Sequence, residues 1–159
     1  MSQFVIAETK VTNLEDIIAA LIEIGILREQ IEVHNEPVAL SGWGSQDKKA
    51  EVVVRKQHLA AHYGDLGATK YTEDGTKGKY YKFIVDDLDC KGSGETCSGN
   101  IDRRWDTRRG GFINHVAGRA GVISAERKLR RRGFKTRRIE KRNKDGKLGG
   151  MRLECVRSK

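Results

Sequence analysis

The sequence predicts an α+β fold in which two helices pack on one face of an antiparallel sheet. The second helix is basic and leads into a C-terminal β-hairpin. Two observations predict this class: apolar residues recur at helical spacing in two segments, and short β-branched runs separated by turn residues lie between them. A length of 159 residues and a hydrophobic fraction of 37% suit one domain over 1–159 with a single modest core.

The first helix has the clearest signals. A short strand is predicted over Phe4–Val11, after which Asn13 caps the helix and Gly25 ends it. Acidic residues in the first turn, Glu15 and Asp16, suit the positive end of the helix dipole. Helical spacing then predicts a core-facing stripe made of Leu14, Ile17, Ile18, Leu21 and Ile22.

The middle of the chain reads as an antiparallel meander. Strands are predicted at 37–40, 50–55, 66–71 and 80–85, and Pro37 can only open its strand or lie on an edge. The Asp74-Gly75 step favours a tight turn between the last two strands. The pattern breaks at 86–111, a Cys- and Gly-rich stretch that we interpret as a long loop or an insertion within the domain.

A second helix is predicted over 113–132, with Val122, Ala125 and Leu129 on one face and Gly133 as its C-cap. Strands at 135–142 and 151–156 follow, and the turn residues at 145–146 make them a hairpin. Cys155 alternates with Leu153, which predicts a buried core position for the thiol.

Charge is distributed unevenly along the chain. The net charge is +9, but residues 1–100 hold 11 Lys and Arg against 16 Asp and Glu, whereas 101–159 hold 20 against 6. A segment this basic favours an anionic partner, and nucleic-acid phosphate is the commonest one. The alternatives are a protein–protein adaptor or assembly subunit with an acidic partner, an electrostatic match to the acidic part of the same chain, and a solvated basic face that binds no partner.

The basic residues cluster in a way that suits phosphate. Arginine gives bidentate hydrogen bonds to phosphate, and a tryptophan among arginines can stack on an unpaired base. Neither a helix-turn-helix nor a ribonucleoprotein signature is present, so backbone contact to RNA or DNA is expected rather than base reading. The candidate nucleic-acid-binding residues are Arg103, Arg104, Trp105, Arg108, Arg109, Arg127, Lys128, Arg130, Arg131, Arg132, Lys135, Arg137, Arg138, Lys141 and Arg142.

A third functional alternative is a small zinc-containing module, with zinc as its cofactor. Its four ligands would be Cys90, Cys97, His58 and His62, because two thiolates and two imidazoles make a tetrahedral site. Two histidines four residues apart share a face if the segment is helical. The six-residue spacing of the cysteines is loose for structural zinc, so free thiols and surface histidines are the favoured interpretation, with no cofactor.

No arrangement of nucleophile and base stands out, so we predict a non-enzymatic protein. The carboxylates of Asp86, Asp87 and Asp89 could bind Mg²⁺, but an acidic strand end that pairs with the basic tail is favoured. Three cysteines, the lack of a long apolar run and an N-terminus without a secretory pattern predict a reducing compartment, the cytoplasm, and no membrane partner.

Three stretches, 5–26, 40–56 and 118–158, carry a family resemblance. The last is the most specific: a basic helix, Gly133-Phe134, a strand, Asp145-Gly146 and a strand with basic residues at its end. Together they resemble the uncharacterised chloroplast reading-frame thirty-five family, a domain of unknown function in cyanobacteria, plastids, other bacteria and some viruses. The resemblance implies a small soluble α+β domain, adds a plastid stroma as the second candidate compartment, and assigns no activity. At 86–111 the chain has a Cys/Gly stretch where the family commonly has a Trp-containing one.

Overall fold

A computed structural model describes residues 4–42, 48–90, 101, 111–142 and 148–157. The chain divides into two compact units, unit 1 over Met1–Gly121 and unit 2 over Val122–Lys159. The predicted α+β class is confirmed: an antiparallel sheet, helices and a separate two-stranded hairpin are all present. The assignment of 1–159 to one domain stays a prediction.

The described part of the chain contains seven strands and three α-helices. In chain order they are β1 (Phe4–Glu8), α1 (Leu14–Glu23), β2 (Ile31–Ala39), β3 (Lys49–Val54), α2 (Lys56–Leu59), β4 (Leu66–Tyr71), β5 (Lys77–Asp86), α3 (Gly111–Arg131), β6 (Phe134–Arg142) and β7 (Leu148–Arg157). The sheet of unit 1 has the order β1-β5-β4-β3-β2, and its neighbouring strands are all antiparallel. The predicted meander is therefore β2 to β5, with β1 added beside β5.

One row of strand residues forms part of the core of unit 1. The register places Ala7 opposite Phe83, Phe83 opposite Ala68, and Ala68 opposite Val52, and all four are buried. Helix α1 adds its own buried side chains to the core, Ile17, Ile18 and Leu21. Asn13 caps this helix as predicted: its Oδ1 accepts the backbone N–H of Glu15 at 3.0 Å.

The predicted core stripe of α1 needs correction. Ile22 is 44% exposed and Leu14 is half-buried, because both lie at the edge of the apolar stripe. In α3 the predicted face of Val122, Ala125 and Leu129 is half-buried. The buried apolar residues of this helix include Phe112, Ile113, Val116, Ala120 and Ile123. An offset of one residue rotates a helix face by about 100°, so the predicted face lies to one side of the buried one.

Strand bounds differ most at β2. The sequence predicts a strand at 37–40, but the strand begins at Ile31, and its register shifts between Val33 and Val38. Pro37 lies in this strand, which pairs only with β3, so its predicted edge position is confirmed. Beyond β1, the backbone N–H and the hydroxyl of Thr9 donate to the carbonyl of Tyr81, so the chain stays beside β5 after the strand ends.

The predicted hairpin turn between β4 and β5 is confirmed. Gly75 has φ +84°, a conformation that favours glycine, and its N–H donates to the carbonyl of Thr72. The Asp74 carboxylate accepts the hydroxyl of Thr72 and, at 3.0 Å, the N–H of Thr76. In unit 2, β6 and β7 pair from Phe134↔Arg157 to Arg142↔Leu148, which leaves the predicted turn residues between them outside the described ranges.

Candidate nucleic-acid interface

The basic part of the candidate interface begins where α3 ends. Gly133 has φ +85° and donates its N–H to the carbonyl of Arg130, which closes the helix as the sequence predicts. The chain enters β6 directly at Phe134. This sharp connection brings the last basic turn of the helix, with Arg131 and Arg132, next to the first basic residue of the strand, Lys135.

An ion pair ties the hairpin of unit 2 to its helix. The guanidinium of Arg138 donates two hydrogen bonds to the carboxylate of Glu126, at 2.8 and 2.6 Å. The side chain of Glu126 is 9% exposed, and Arg138 holds its pKa below the usual range. Nearby, Nε of Arg130 donates to the hydroxyl of Thr136 at 3.2 Å. Arg138, a candidate phosphate ligand, is therefore engaged within the unit.

The hairpin has two different faces. Because side chains alternate along a strand, Thr136 and Arg138 point to the helix side, whereas Lys135 and Arg137 point to the opposite side. On that opposite side the partners across the ladder are Val156 and Glu154 of β7, and Arg152 follows. Glu154 accepts from Arg137 at 3.2 Å and from Arg152 at 2.9 Å, so one carboxylate lies between two exposed guanidinium groups.

The net charge of the two units differs strongly. Unit 2 has 38 residues, with 15 Lys and Arg against 4 Asp and Glu, a formal charge of +11; unit 1 has 16 against 18, a charge of −2. Six candidate side chains of unit 2 are exposed: Lys128, Arg130, Arg131, Arg132, Lys135 and Arg137. Four of them form neither an ion pair nor a side-chain hydrogen bond with a described residue: Lys128, Arg131, Arg132 and Lys135.

The remaining candidates are placed as follows. Arg127 and Arg138 are half-buried, and both make contacts within the chain. Lys141 and Arg142 lie on β6, in register with Gly150 and Leu148. The predicted upstream cluster lies outside the described residues: Arg103, Arg104, Trp105, Arg108 and Arg109.

The prediction of a buried Cys155 is wrong, because the thiol is exposed. Cys155 lies on β7, opposite Thr136 of β6. Among the described strands, β7 pairs only with β6. The alternation of Cys155 with Leu153 predicts a strand with one buried face. A strand that has only one neighbouring strand leaves more of its side chains exposed to solvent. The neighbouring Val156 is 69% exposed, because it lies on the opposite side of the hairpin, with Lys135 and Arg137.

The proposed zinc ligands are not assembled by a common helix face. Helix α2 ends at Leu59 and Ala60 is left-handed, so His58 lies on the helix and His62 beyond it, both exposed. Cys90 is fully buried, and Cys97 lies outside the described residues. Within the described part of the chain, no three His, Cys, Asp or Glu side chains are grouped to hold a metal ion.

Asp89, in the acidic stretch after β5, has a structural role that the sequence did not predict. The carboxylate of Asp89, fully buried, accepts the backbone N–H groups of His62 and Tyr63 at 2.8 Å and of Gly64 at 3.0 Å. Carboxylates with several backbone donors of this kind hold a loop in one conformation. At the start of that region, Oδ1 of Asp86 accepts the N–H of Leu88 at 2.9 Å.

A second charged network fixes the β2–β3 end of the sheet. Arg55 donates twice to Glu32 at 2.8 Å and once to Asp65 at 3.0 Å. The hydrogen bonds from Arg55 lower the pKa of Glu32 from 4.5 to about 2. Asp65 also accepts the N–H and hydroxyl of Ser41 and the N–H of Lys56. Every one of these groups is used within unit 1, which makes the network structural.

Comparison with protein-family models, with curated proteins and with solved structures finds no match. None of the described helices combines the length and the apolar character that crossing a membrane requires. The functional argument therefore starts from the geometry and charge of the two units.

Proposed function

We propose that this chain is a non-enzymatic nucleic-acid-binding protein, of the cytoplasm or a plastid stroma, that neutralises phosphate groups with unit 2. The observation that carries the proposal is the exposure of six Lys and Arg side chains on the end of α3 and on β6. Four of them have neither an ion pair nor a side-chain hydrogen bond with a described residue. Same-sign charges held together by a fold favour an anion, because it removes their mutual repulsion.

The types of side chain support phosphate as that anion. Arg131 and Arg132 extend from the last turn of α3 and the cap, where the helix dipole already favours cations, and their planar guanidinium groups match phosphate oxygens in pairs. The two acids of unit 2 whose side chains are described form ion pairs with other arginines: Glu126 is bound by Arg138, and Glu154 is shared by Arg137 and Arg152. Neither of these two carboxylates forms an ion pair with Arg131 or Arg132.

The proposal is tested by removing charge at two matched places. In the test variant, Arg131→Gln and Arg132→Gln remove two exposed positive charges from unit 2. In the control, Arg28→Gln and Lys56→Gln remove two exposed charges from unit 1, so the net charge of both variants is the same. Binding of a labelled oligonucleotide of about 15 nucleotides is measured at low salt, a length near the upper site size of small single-strand-binding folds.

We expect the test variant to bind about tenfold more weakly or worse, and its salt slope to fall by about 2, because each substitution removes one phosphate-binding side chain. The control variant should bind like the wild type. Equal weakening in both variants would show that net charge alone attracts the oligonucleotide, which contradicts a defined surface on unit 2. Binding of an acidic protein with no affinity for the oligonucleotide would replace the proposal with the adaptor function.

A further inference from the structure

A second surface that suits nucleic acid lies on unit 1, on the β4–β5 hairpin and the chain beside it. We call it the tyrosine–lysine surface: Tyr71, Tyr80, Lys10, Lys77, Lys79 and Lys82. A groove of about 370 Å³ lies along it, lined among others by Tyr71, Tyr80, Lys10, Lys79 and Lys82. Glu8 is the one carboxylate among the described residues of its lining.

The tyrosine rings of this surface are already partnered by cations. The ammonium groups of Lys10 and Lys79 lie 5.0 and 5.3 Å from the ring centroid of Tyr80, and that of Lys77 lies 5.9 Å from the ring of Tyr71. Tyr80 keeps 37% of its surface exposed. Two like charges thus approach one exposed ring, and an anion that binds between them would relieve their repulsion.

The acids of the adjoining turn form no ion pair with these lysines, although Glu73 interacts with Lys82 at longer range. Glu73 forms an ion pair with Lys48, and the Asp74 carboxylate accepts hydrogen bonds from its own turn. Among the described residues, Lys10, Lys79 and Lys82 have no carboxylate within ion-pair distance. The surface therefore combines the exposed ring of Tyr80 with lysines that have no ion-pair partner among the described residues.

We propose that the tyrosine–lysine surface binds single-stranded nucleic acid, with a base stacked on Tyr80 and flanking phosphates at Lys10, Lys79 and Lys82. Stacking needs an unpaired base, because duplexes hide the base faces, and lysines contact phosphate without reading sequence. An acidic peptide would satisfy the ammonium groups but would leave the rings unused. The choice of nucleic acid as the ligand rests on the proposed function. The location of the site and the preference for single strands are inferred from the side chains of unit 1.

The experiment compares Tyr80→Ala with Tyr80→Phe in the full-length chain, using single-stranded and duplex oligonucleotides of one sequence. Loss of the ring should weaken single-strand binding about 5- to 100-fold, the range for one base–aromatic stack, and should leave duplex binding unchanged. Phenylalanine keeps the ring and should bind like the wild type. Lys79→Gln should weaken binding, whereas Lys56→Gln should not, since Lys56 follows β3 at the opposite end of β4.

Photocrosslinking adds a readout that a merely structural role of Tyr80 would not produce. A single-stranded oligonucleotide with 5-iodouracil should crosslink to a peptide that contains Tyr80, as mass spectrometry would show. Unchanged affinity of Tyr80→Ala, with crosslinks elsewhere, overturns this inference; if Arg131→Gln/Arg132→Gln still weakens binding, the proposed function survives. A wild type that binds neither strand form overturns both. Circular dichroism and thermal unfolding confirm that each variant folds.

Discussion

Replacing Asp89 by asparagine should destabilise unit 1 strongly, although the change is nearly isosteric. The buried carboxylate accepts three backbone N–H groups, one on Oδ1 from His62 and two on Oδ2 from Tyr63 and Gly64. An asparagine amide has one acceptor oxygen, and its NH₂ group only donates. Whichever way the amide is turned, at least one backbone N–H then faces another donor.

The size of the effect follows from this arrangement. If the amide oxygen takes the Oδ2 position, the Tyr63 and Gly64 bonds survive in weaker, uncharged form and the His62 bond disappears. A hydrogen bond to a charged group contributes about 1.5–3 kcal/mol, and a buried donor without a partner costs about 1–3 kcal/mol. We therefore expect the free energy of unfolding to fall by about 2–4 kcal/mol, and by more for Asp89→Ala, which removes all three hydrogen bonds.

Urea unfolding followed by circular dichroism measures this change, with hydrogen exchange at residues 62–64 as a local readout. Glu29→Gln is the control: Glu29 is exposed, so its substitution should change the free energy of unfolding by less than about 0.5 kcal/mol. A decrease below about 1 kcal/mol for Asp89→Asn, with unchanged exchange at 62–64, would refute the argument that this carboxylate holds the loop.

Three further predictions concern single contacts. Gly118→Ala should raise the free energy of unfolding by about 0.5–1 kcal/mol, because Gly118 lies within a helix and an added Cβ would meet no other atom. Gly133→Ala should lower it by about 1–2 kcal/mol, because alanine is strained at the φ of +85°. In urea titrations the unfolding midpoints of the two variants should shift in opposite directions. The depressed pKa of Glu32, about 2 when folded against 4.5 in the unfolded chain, contributes stability above pH 4.5 that is lost as the pH falls toward 2. In Glu32→Gln the free energy of unfolding should therefore fall by about 1 kcal/mol less on acidification than in the wild type, a small difference because the carboxylate is about one-third exposed. A pH profile identical to that of the wild type would contradict this prediction. Arg138→Met should lower protection of β6 and β7 amides from hydrogen exchange and cost about 2 kcal/mol, because it leaves the carboxylate of Glu126 unpaired; unchanged protection would argue against the ion pair as the tie between helix and hairpin.

The sequence predicts what short-range chemistry determines. The cap at Asn13, the turn at Gly75 and the end of α3 at Gly133 depend on residues a few positions away, and each lies where expected. Strands β3, β4 and β5 were predictable from their β-branched and apolar runs. The same reasoning failed at the start of β2, where Glu32, His34 and neighbouring polar residues fill an edge strand that has few side chains in the core.

The candidate interface was predictable as a charge pattern but not as a set of available side chains. Arg138 resembles its neighbours in the sequence, yet the fold directs it to Glu126, twelve residues earlier. Asp89 likewise looks like part of an acidic strand end, and only the fold places it beside the N–H groups of 62–64. Such pairings join residues through tertiary packing, which leaves no periodic signal. The tyrosine–lysine surface was missed because its lysines are spread from 10 to 82.

The most direct test of the central claim is the salt dependence of wild-type binding to a single-stranded oligonucleotide, followed by fluorescence anisotropy between about 50 and 200 mM salt. Three to six phosphate contacts by the exposed side chains of unit 2 predict a slope of log K against log salt between about −2 and −4, at about −0.7 per contact to a single strand. Binding with a slope near zero would mean that phosphate neutralisation is not the source of affinity. No binding at the lowest salt would contradict the nucleic-acid account and turn attention to an acidic protein partner.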